Sequence, residues 1–577
     1  MDRAYDLVIR NGLVIDGAGA ERFEADVAIR DGRIAAIGHV GAAGAQEIDA
    51  RGKMVTPGFV DIHTHYDGQA VWSDRLSPSS SHGVTTVVGG NCGVGFAPCR
   101  PEHRELLVSV MEGVEDIPEV VMTEGLTWDW QTYPEYLDAI EKRPHDIDFA
   151  SQIPHSAVRV FVMGQRGADR EPATEDDLKR MQAVVREAID VGALGFATSR
   201  LVIHKTGQGD AIPSWQAAES ELEAMAMALK DAGHGVLQAV FGESGRTFQD
   251  EIDLLSRLTR MSGRPASFSM AQSNDHPEAW RDVMRHLAEA NMTGPAIRAQ
   301  VYPRPIGVVL GFDLTINPFS LCPSYQPLAN LPFAERIAAL RDPLVRARLL
   351  MEEPLDAVIP LARLGRRFDF MYPLGDPPDY EPAPETSLAA QGAARGVSPA
   401  EIAYDLLLEN GGRGLLLVAL ANYGSGSLDP IYSLITDSNS VLGLGDGGAH
   451  YGMICDSSYP TFVMQHWTRE RLGQRLSIEE AVKALTSDPA RAIGLDDRGV
   501  LSVGRKADLN VIDYDQLRLD APQVLYDLPA GGRRITQGAR GYDAMIVSGQ
   551  VVSRHGEPTG ALPGRLVRGP QAAPALR

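Results

Sequence analysis

PGFVDIHTHYD, residues 57–67, is the stretch on which the fold turns. A short apolar run, Phe59 to Ile62, ends in His63-Thr64-His65, and the period of two along a strand points both imidazoles to one side. Two neutral imidazoles converging at the C-terminal end of a strand form half of a transition-metal site. An isolated HxH carries little information. Here it follows Pro-Gly-Phe and a β-rich leader, at the point where a first barrel strand would end.

Upstream, residues 1–57 read as short strands punctuated by turns: YDLVIRNG (5–12), LVIDGAG (13–19), DVAIRDG (26–32) and RIAAIG (33–38). Alternating apolar residues closed by Asn-Gly, Asp-Gly or Gly indicate β-hairpins. The same texture returns in GVLSVGRKADLNVIDYD (499–515) and YDAMIVSGQVVSRHGE (542–557). One discontinuous β domain, 1–57 with 485–560, is therefore expected, followed by an Ala/Pro/Gly-rich flexible tail at 561–577.

Downstream, apolar runs alternate with amphipathic stretches. After the strand carrying His63 come GVTTVVGGN (83–91), DFASQIPH (148–155), ALGFATS (193–199), GVLQAVFG (235–242), PASFSMAQ (265–272), IRAQVYP (297–303) and VLGLGD (441–446). TEDDLKRMQAVVREAIDVG (174–192) and ESELEAMAMALKDAG (219–233) are helices closed by glycine. Eight strand–helix alternations make this an α/β chain with a (β/α)8 barrel over 58–484. An insertion at about 310–400, carrying the proline-rich GDPPDYEPAPETS and the helical ERIAALRDPLVRARLL, separates the seventh strand from the eighth. Connections of that length in barrels form lids or substrate-binding elements, or pack as structural excursions.

PGFVDIHTH, GVTTVVGGNCGVG (83–95), VLGLGDGGAH (441–450) and GVLSVGRKADLNVID (499–513) occur in an order that resembles the amidohydrolase superfamily. Within it the chain most resembles the N-acyl-D-amino-acid deacylases (D-aminoacylases), over about residues 4–555, including QVYP at 300–303. The resemblance implies a metal-bearing barrel with a small β-sandwich, and hydrolysis of an amide by metal-bound water. It implies that Cys92 is a metal ligand, and that Asp446 touches the metal and carries the proton from water to the leaving nitrogen. A thiolate and a carboxylate suit those roles, since nearby metal keeps the thiol deprotonated and acidifies water. Cys99, Cys322 and Cys455 read as structural thiols.

One departure matters. The deacylases supply two further histidines, from strands five and six. Here Gln238 or Ala239 stands at the first, Met270 at the second, and Gln272 replaces a lysine. His234 and His276 lie outside the strand ends and are not ligands on this reading. The remaining donors, His63, His65, Cys92 and Asp446, lead us to expect one zinc ion per chain. Candidate substrate contacts are His155 as an oxyanion donor or else a satisfied buried histidine, Arg200 as a carboxylate partner or else a surface salt bridge, Gln238, an apolar wall at Met270, and Tyr302. The His204-Lys205 pair falls too far past its strand to act as a carboxylated-lysine bridge.

The 577-residue chain carries a net charge of −22, which disfavours nucleic acid and anionic membranes as partners. Scattered cysteines without a CxxC pair, no signal-peptide core and no apolar run of about 20 residues point to a cytoplasmic enzyme with a small-molecule substrate, with assembly into a homo-oligomer left open. Three functions fit: hydrolysis of an N-acyl amino acid or similar amide, opening of a cyclic amide or lactone, or a catalytically silent binding protein on the same scaffold.

Overall fold

A computed structural model describes residues 4–242, 246–355 and 364–574. It is mixed α/β. The first β element, Tyr5–Val14, pairs antiparallel with Phe23–Arg30 and bulges between Ile9 and Gly12, where Asn11 takes a positive φ of 56°. On its other side it runs parallel to Gly44–Asp49 and Met54–Pro57. Met54–Pro57 then pairs antiparallel with Leu509–Ile512, Val55 opposite Val511, and the ladder continues through Tyr542–Val547 to Gln550–Arg554. Both ends of the chain thus lie in one sheet of nine strands. Its buried side is one apolar cluster, with Leu7, Ile9, Val27 and Ile29 from the early strands against Leu509, Val511 and Ile546 from the late ones.

The middle of the chain makes parallel strands in sequence order. Phe59–Asp61, Val84–Gly89 and Asp148–Ser151 form one run. Ile153–Pro154, Gly195–Arg200, Val236–Phe241, Ala266–Met270, Ile297–Val301 and Ser440–Leu442 form the next. The runs meet at Gln152, whose N–H donates to Gly89 O at 3.0 Å. The first and last strands are also joined beyond their ends: Asp446 N–H donates to His63 O at 3.1 Å, and His65 N–H to Gly447 O at 2.8 Å. The intervening helices carry their own start signals. Thr174 caps Glu175–Val191 through a reciprocal box with Asp177, and Thr247 caps Phe248–Ser262 with Asp250.

Several expectations need correcting. The insertion is longer than 310–400, because Ile306–Leu310 and Leu416–Ala421 pair antiparallel, with Met371–Pro373 added at the edge. It has its own core of Phe312, Phe319, Tyr325, Leu340, Tyr404 and Leu407. The stretch ERIAALRDPLVRARLL is two helices, Phe333–Leu340 and Pro343–Met351. Pro343 cannot continue the first and instead begins the second, which Asp342 caps. The strand expected over 441–446 stops at Leu442, since Leu444 and Asp446 adopt positive φ. The tail is docked: Gly564 N–H donates to His145 O, and Val567 N–H to Phe149 O at 2.7 Å. Backbone groups satisfied against a buried strand hold it in place as far as residue 574. Residues 575–577 lie outside the described residues.

Candidate metal centre

The His63-Thr64-His65 triplet leaves its strand as alternation requires. Thr64 turns away and donates from its hydroxyl to Val88 O at 2.8 Å, while the two imidazoles meet edge to face with centroids 5.5 Å apart. His63 N–H donates to Asp61 Oδ1 at 3.1 Å, which fixes the turn. Gln300 reaches in from the seventh strand; its Nε2 donates to Ser267 Oγ at 3.0 Å and its Oε1 lies 2.7 Å from His63 Nδ1. An amide oxygen only accepts, so His63 carries its proton on Nδ1 and keeps a lone pair on Nε2.

Cys92 sits in the turn Asn91–Gly93 with φ at 55°, following Gly90 at 74°. Gly90 is obligatory there, because a Cβ would lie 1.9 Å from Gln152 O. Asn91 ties the turn to the first and second strands by donating to Thr64 O and Val88 O. Gln238, from the fifth strand, accepts the Cys92 N–H at 3.2 Å. The result places Cys92 Sγ 3.3 Å from His63 Nε2, and one ligand atom from each of His63, His65 and Cys92 lies within 4.8 Å of the others. Asp446 Oδ1 is 3.6 Å from Nε2 of both histidines and has no hydrogen-bond partner.

Burial dominates the electrostatics. It pushes Asp446 up to about 7 and, with Asp446 nearby, Asp61 up to about 8. It pushes His63 down to about 4 and His65 well below the usual histidine range, so both imidazoles are neutral. Cys92 is raised well above the ordinary thiol value by burial and by Glu115, Asp446 and Asp67. Neutral imidazoles, a thiol, and a carboxylate with an unpaired buried oxygen are a donor set that fits a divalent transition metal, whose charge would offset these costs.

Three neighbours of this group escape the sequence reading. Glu115, at the end of the helix Arg104–Glu115, is 1% exposed and lies 3.4 Å from both His65 Nδ1 and His450 Nε2. An acidic residue closing a helix, where basic ones are favoured, was the available signal. His450 follows Asp446 on the same loop, with φ at 50°. His204 falls too far past its strand in sequence to suggest a bridging role with Lys205, yet burial and the proximity of His450 and His63 lower it to about 3; its Nδ1 meets Ser199 Oγ at 2.8 Å.

The expected substrate contacts fare differently. His155 is the first residue of the helix His155–Met163 and has both ring nitrogens engaged, by Thr198 Oγ1 at 2.9 Å and Glu221 Oε2 at 3.3 Å. It therefore belongs to a buried Glu221–Arg159 network, and its oxyanion role is withdrawn. Arg200 donates to Glu251 Oε1 and Ala217 O, so its guanidinium is already paired and the carboxylate role is withdrawn too. Met270 pairs with Val301, while Ser269 pairs with Gln300. Alternation puts Met270 on the face opposite Gln300, within the apolar cluster. Gln238 spends its amide on Cys92 N–H and Ala239 O, and supports the cysteine turn. The Tyr302 hydroxyl donates to Asp456 O at 3.0 Å inside a buried cluster with Arg304.

The sequence profile of the Amidohydrolase family matches residues 46–553, and that of the urease α-subunit N-terminal domain matches residues 1–58. An uncharacterized protein of Mycobacterium tuberculosis is 30% identical over 557 residues, covering 89% of this chain and 85% of that protein. N-acyl-D-glutamate deacylase of Alcaligenes xylosoxydans xylosoxydans is 27% identical over 577 residues, covering 98% and 97%. Among solved structures, D-aminoacylase with its binuclear metal centre superposes at a TM-score of 0.66 and 23% identity, covering 98% of this chain and all of that one. Among the described residues, no helix is long and apolar enough to cross a membrane.

Proposed function

The chain belongs to the amidohydrolase family, enzymes that hydrolyse carbon–nitrogen bonds, and from that premise we propose that it cleaves the amide of an N-acyl amino acid or a similar small amide. The observation that carries this reading is the grouping of His63, His65 and Cys92, with the unpaired Oδ1 of Asp446 3.6 Å from both histidines. The scaffold is read as a closed (β/α)8 barrel over 58–484 with a second β unit from 1–57 and 485–560.

His63, His65, Cys92 and Asp446 would hold one zinc ion. Zinc in such a site supplies Lewis acidity. Asp446 takes a proton from the attacking water and returns it to the departing nitrogen, since its Oδ1 is otherwise unengaged. Gln300 keeps His63 in the tautomer that presents Nε2, and Gln238 holds the cysteine turn. One ion rather than two is favoured because Gln238 or Ala239, and Met270, stand in the sequence where the resembled deacylases carry histidines.

Gln272 supports a second reading. It stands at the deacylases' lysine position and its amide is consumed by Pro277 O, Ser425 Oγ and Gly424 N–H, so it offers no charge to a substrate carboxylate. A cyclic amide or lactone needs none. A metal-replete screen across N-acyl-D- and L-amino acids, cyclic amides and lactones decides between the two. Asp446→Asn should lower turnover by about 10²–10⁴ with the fold intact. Wild-type-like turnover in that variant, or full activity without metal, would reject the mechanism, and no turnover on any class would leave a binding protein.

A further inference from the structure

Strand alternation decides which side chains face the metal group. Gln238 accepts the Cys92 N–H and pairs with Ala197 on the neighbouring parallel strand. Ser199 is two residues beyond Ala197, so its side chain shares the face turned to Cys92, one step nearer the C-terminal end of the strand. The residues on either side of it face away: Thr198 meets His155, and Arg200 meets Glu251. Ser199 is fully buried and its backbone abuts the cysteine turn, where a Cβ on Gly93 would stand 2.9 Å from Ser199 N. From this position its Oγ meets His204 Nδ1 at 2.8 Å.

The loop that carries His204 is fastened to its surroundings. His204 N–H donates to Leu201 O at 3.1 Å; further along, Gly207 N–H donates to Ser109 O at 2.7 Å, and Ser109 Oγ to Gln208 Oε1 at 2.6 Å. Ser109 lies on the helix Arg104–Glu115, so the half-buried ring is held against the same frame as the metal group. Burial and the nearness of His450 and His63 keep the ring neutral, with one N–H to give. The Ser199 hydroxyl already accepts from Leu201 N–H at 3.2 Å, and among the described residues its own proton has one acceptor, His204 Nδ1. A buried hydroxyl keeps its proton satisfied, so Ser199 donates to Nδ1 and the ring proton sits on Nε2. That nitrogen makes no hydrogen bond among the described residues.

We propose that His204 is a further catalytic residue, whose Nε2–H donates to the carbonyl oxygen under attack as negative charge gathers there, with Ser199 as the positioning residue that keeps the proton on Nε2. The inference rests on the hydrolytic reading above. It fills the role that His155 cannot take, since both ring nitrogens of His155 are engaged elsewhere.

The test pairs kinetics with spectroscopy on the full-length protein. Across the N-acyl amino acids, cyclic amides and lactones of the screen, zinc-loaded His204→Ala should lose about 10²–10³ in kcat, with KM and zinc content near wild type. His204→Gln, which offers an amide N–H at a similar reach, should recover at least about tenfold of that loss. In zinc-free wild type labelled with ¹⁵N-histidine, two-bond ¹H–¹⁵N spectra should show His204 protonated on Nε2, its signals being those absent from His204→Gln. Wild-type kcat in His204→Ala, equal losses in the alanine and glutamine variants, or loss of zinc from the alanine variant each overturns the proposal. Wild-type His204 protonated on Nδ1 overturns it as well, whether or not the alanine variant folds. A wild type that turns over none of these classes overturns the hydrolytic reading and this proposal with it; turnover that survives His204→Ala overturns this proposal alone.

Discussion

Replacing Gly90 by alanine tests the cysteine turn directly. The new Cβ would stand 1.9 Å from Gln152 O, whereas a carbon–oxygen contact relaxes at about 3.3 Å, so roughly 1.4 Å of movement is needed. The obstacle is backbone of a buried connection between parallel strands, which yields little. Forcing alanine to a φ of 74° adds about 1–2 kcal/mol, and overpacking about 1–3 kcal/mol, for a total loss of about 2–5 kcal/mol. Cys92 lies two residues on, and zinc ligation tolerates errors of only about 0.2 Å. Zinc affinity should therefore fall by at least about tenfold. Gly396→Ala is the control: its φ of 68° imposes a similar backbone penalty, but nothing lies within 4 Å of its Cβ. Thermal unfolding and chelator competition on both variants separate strain from displacement. Wild-type zinc affinity in Gly90→Ala would refute the argument that this turn sets the position of Cys92.

Further outcomes follow from other contacts. Chelation should lower the midpoint of thermal unfolding and zinc should restore it, the stabilisation being about 2.7 kcal/mol at a hundredfold excess over Kd; an unchanged midpoint argues against a ligated site. Asp148 accepts from Arg498 at 2.6 Å and from Arg565 N–H at 3.0 Å, and lies 3.1 Å from Lys506. Asp148→Asn should cost about 3–5 kcal/mol by leaving buried cations short of charge, a loss visible in calorimetry. Glu381, bonded to Arg471 and His466, is held down to about 2. Its unfolded value is near 4.5, so its stabilising contribution is complete above that pH and disappears as pH falls towards 2. Glu381→Gln should flatten the acid limb of the stability profile, and a limb of unchanged steepness would contradict this.

The parallel core and the donors on its first two strands were legible because period-two alternation and glycine-rich turns are local signals. His63 and His65 share a face for that reason, and the helices from Glu175 and Glu219 begin and end close to where their start and stop residues put them. What failed was partnership across the sequence. Nothing local in GFATSR reveals that Glu251 will claim Arg200, and nothing in DFASQIPH that Glu221 will claim His155. The place of Met270 after PASFS suggests a pocket wall, but register decides its face. Glu115 lies 50 residues from His65 and 335 from His450, and only the folded chain brings the three together.

The pairing of Val55 with Val511 has a cost in time. Roughly 460 residues separate the two, and at about 5–20 residues per second a ribosome needs about 25–90 s to deliver the second after the first. Through that interval the edge of Met54–Pro57 that will face Leu509–Ile512 has no partner, and the Asp148–Ser151 strand waits almost as long for residues 564–567. An unpaired apolar edge invites pairing with another nascent chain. Production of this protein should therefore respond to slower synthesis and to chaperones that shield open strands, and the aggregates formed without them should be enriched in chains stalled before residue 509.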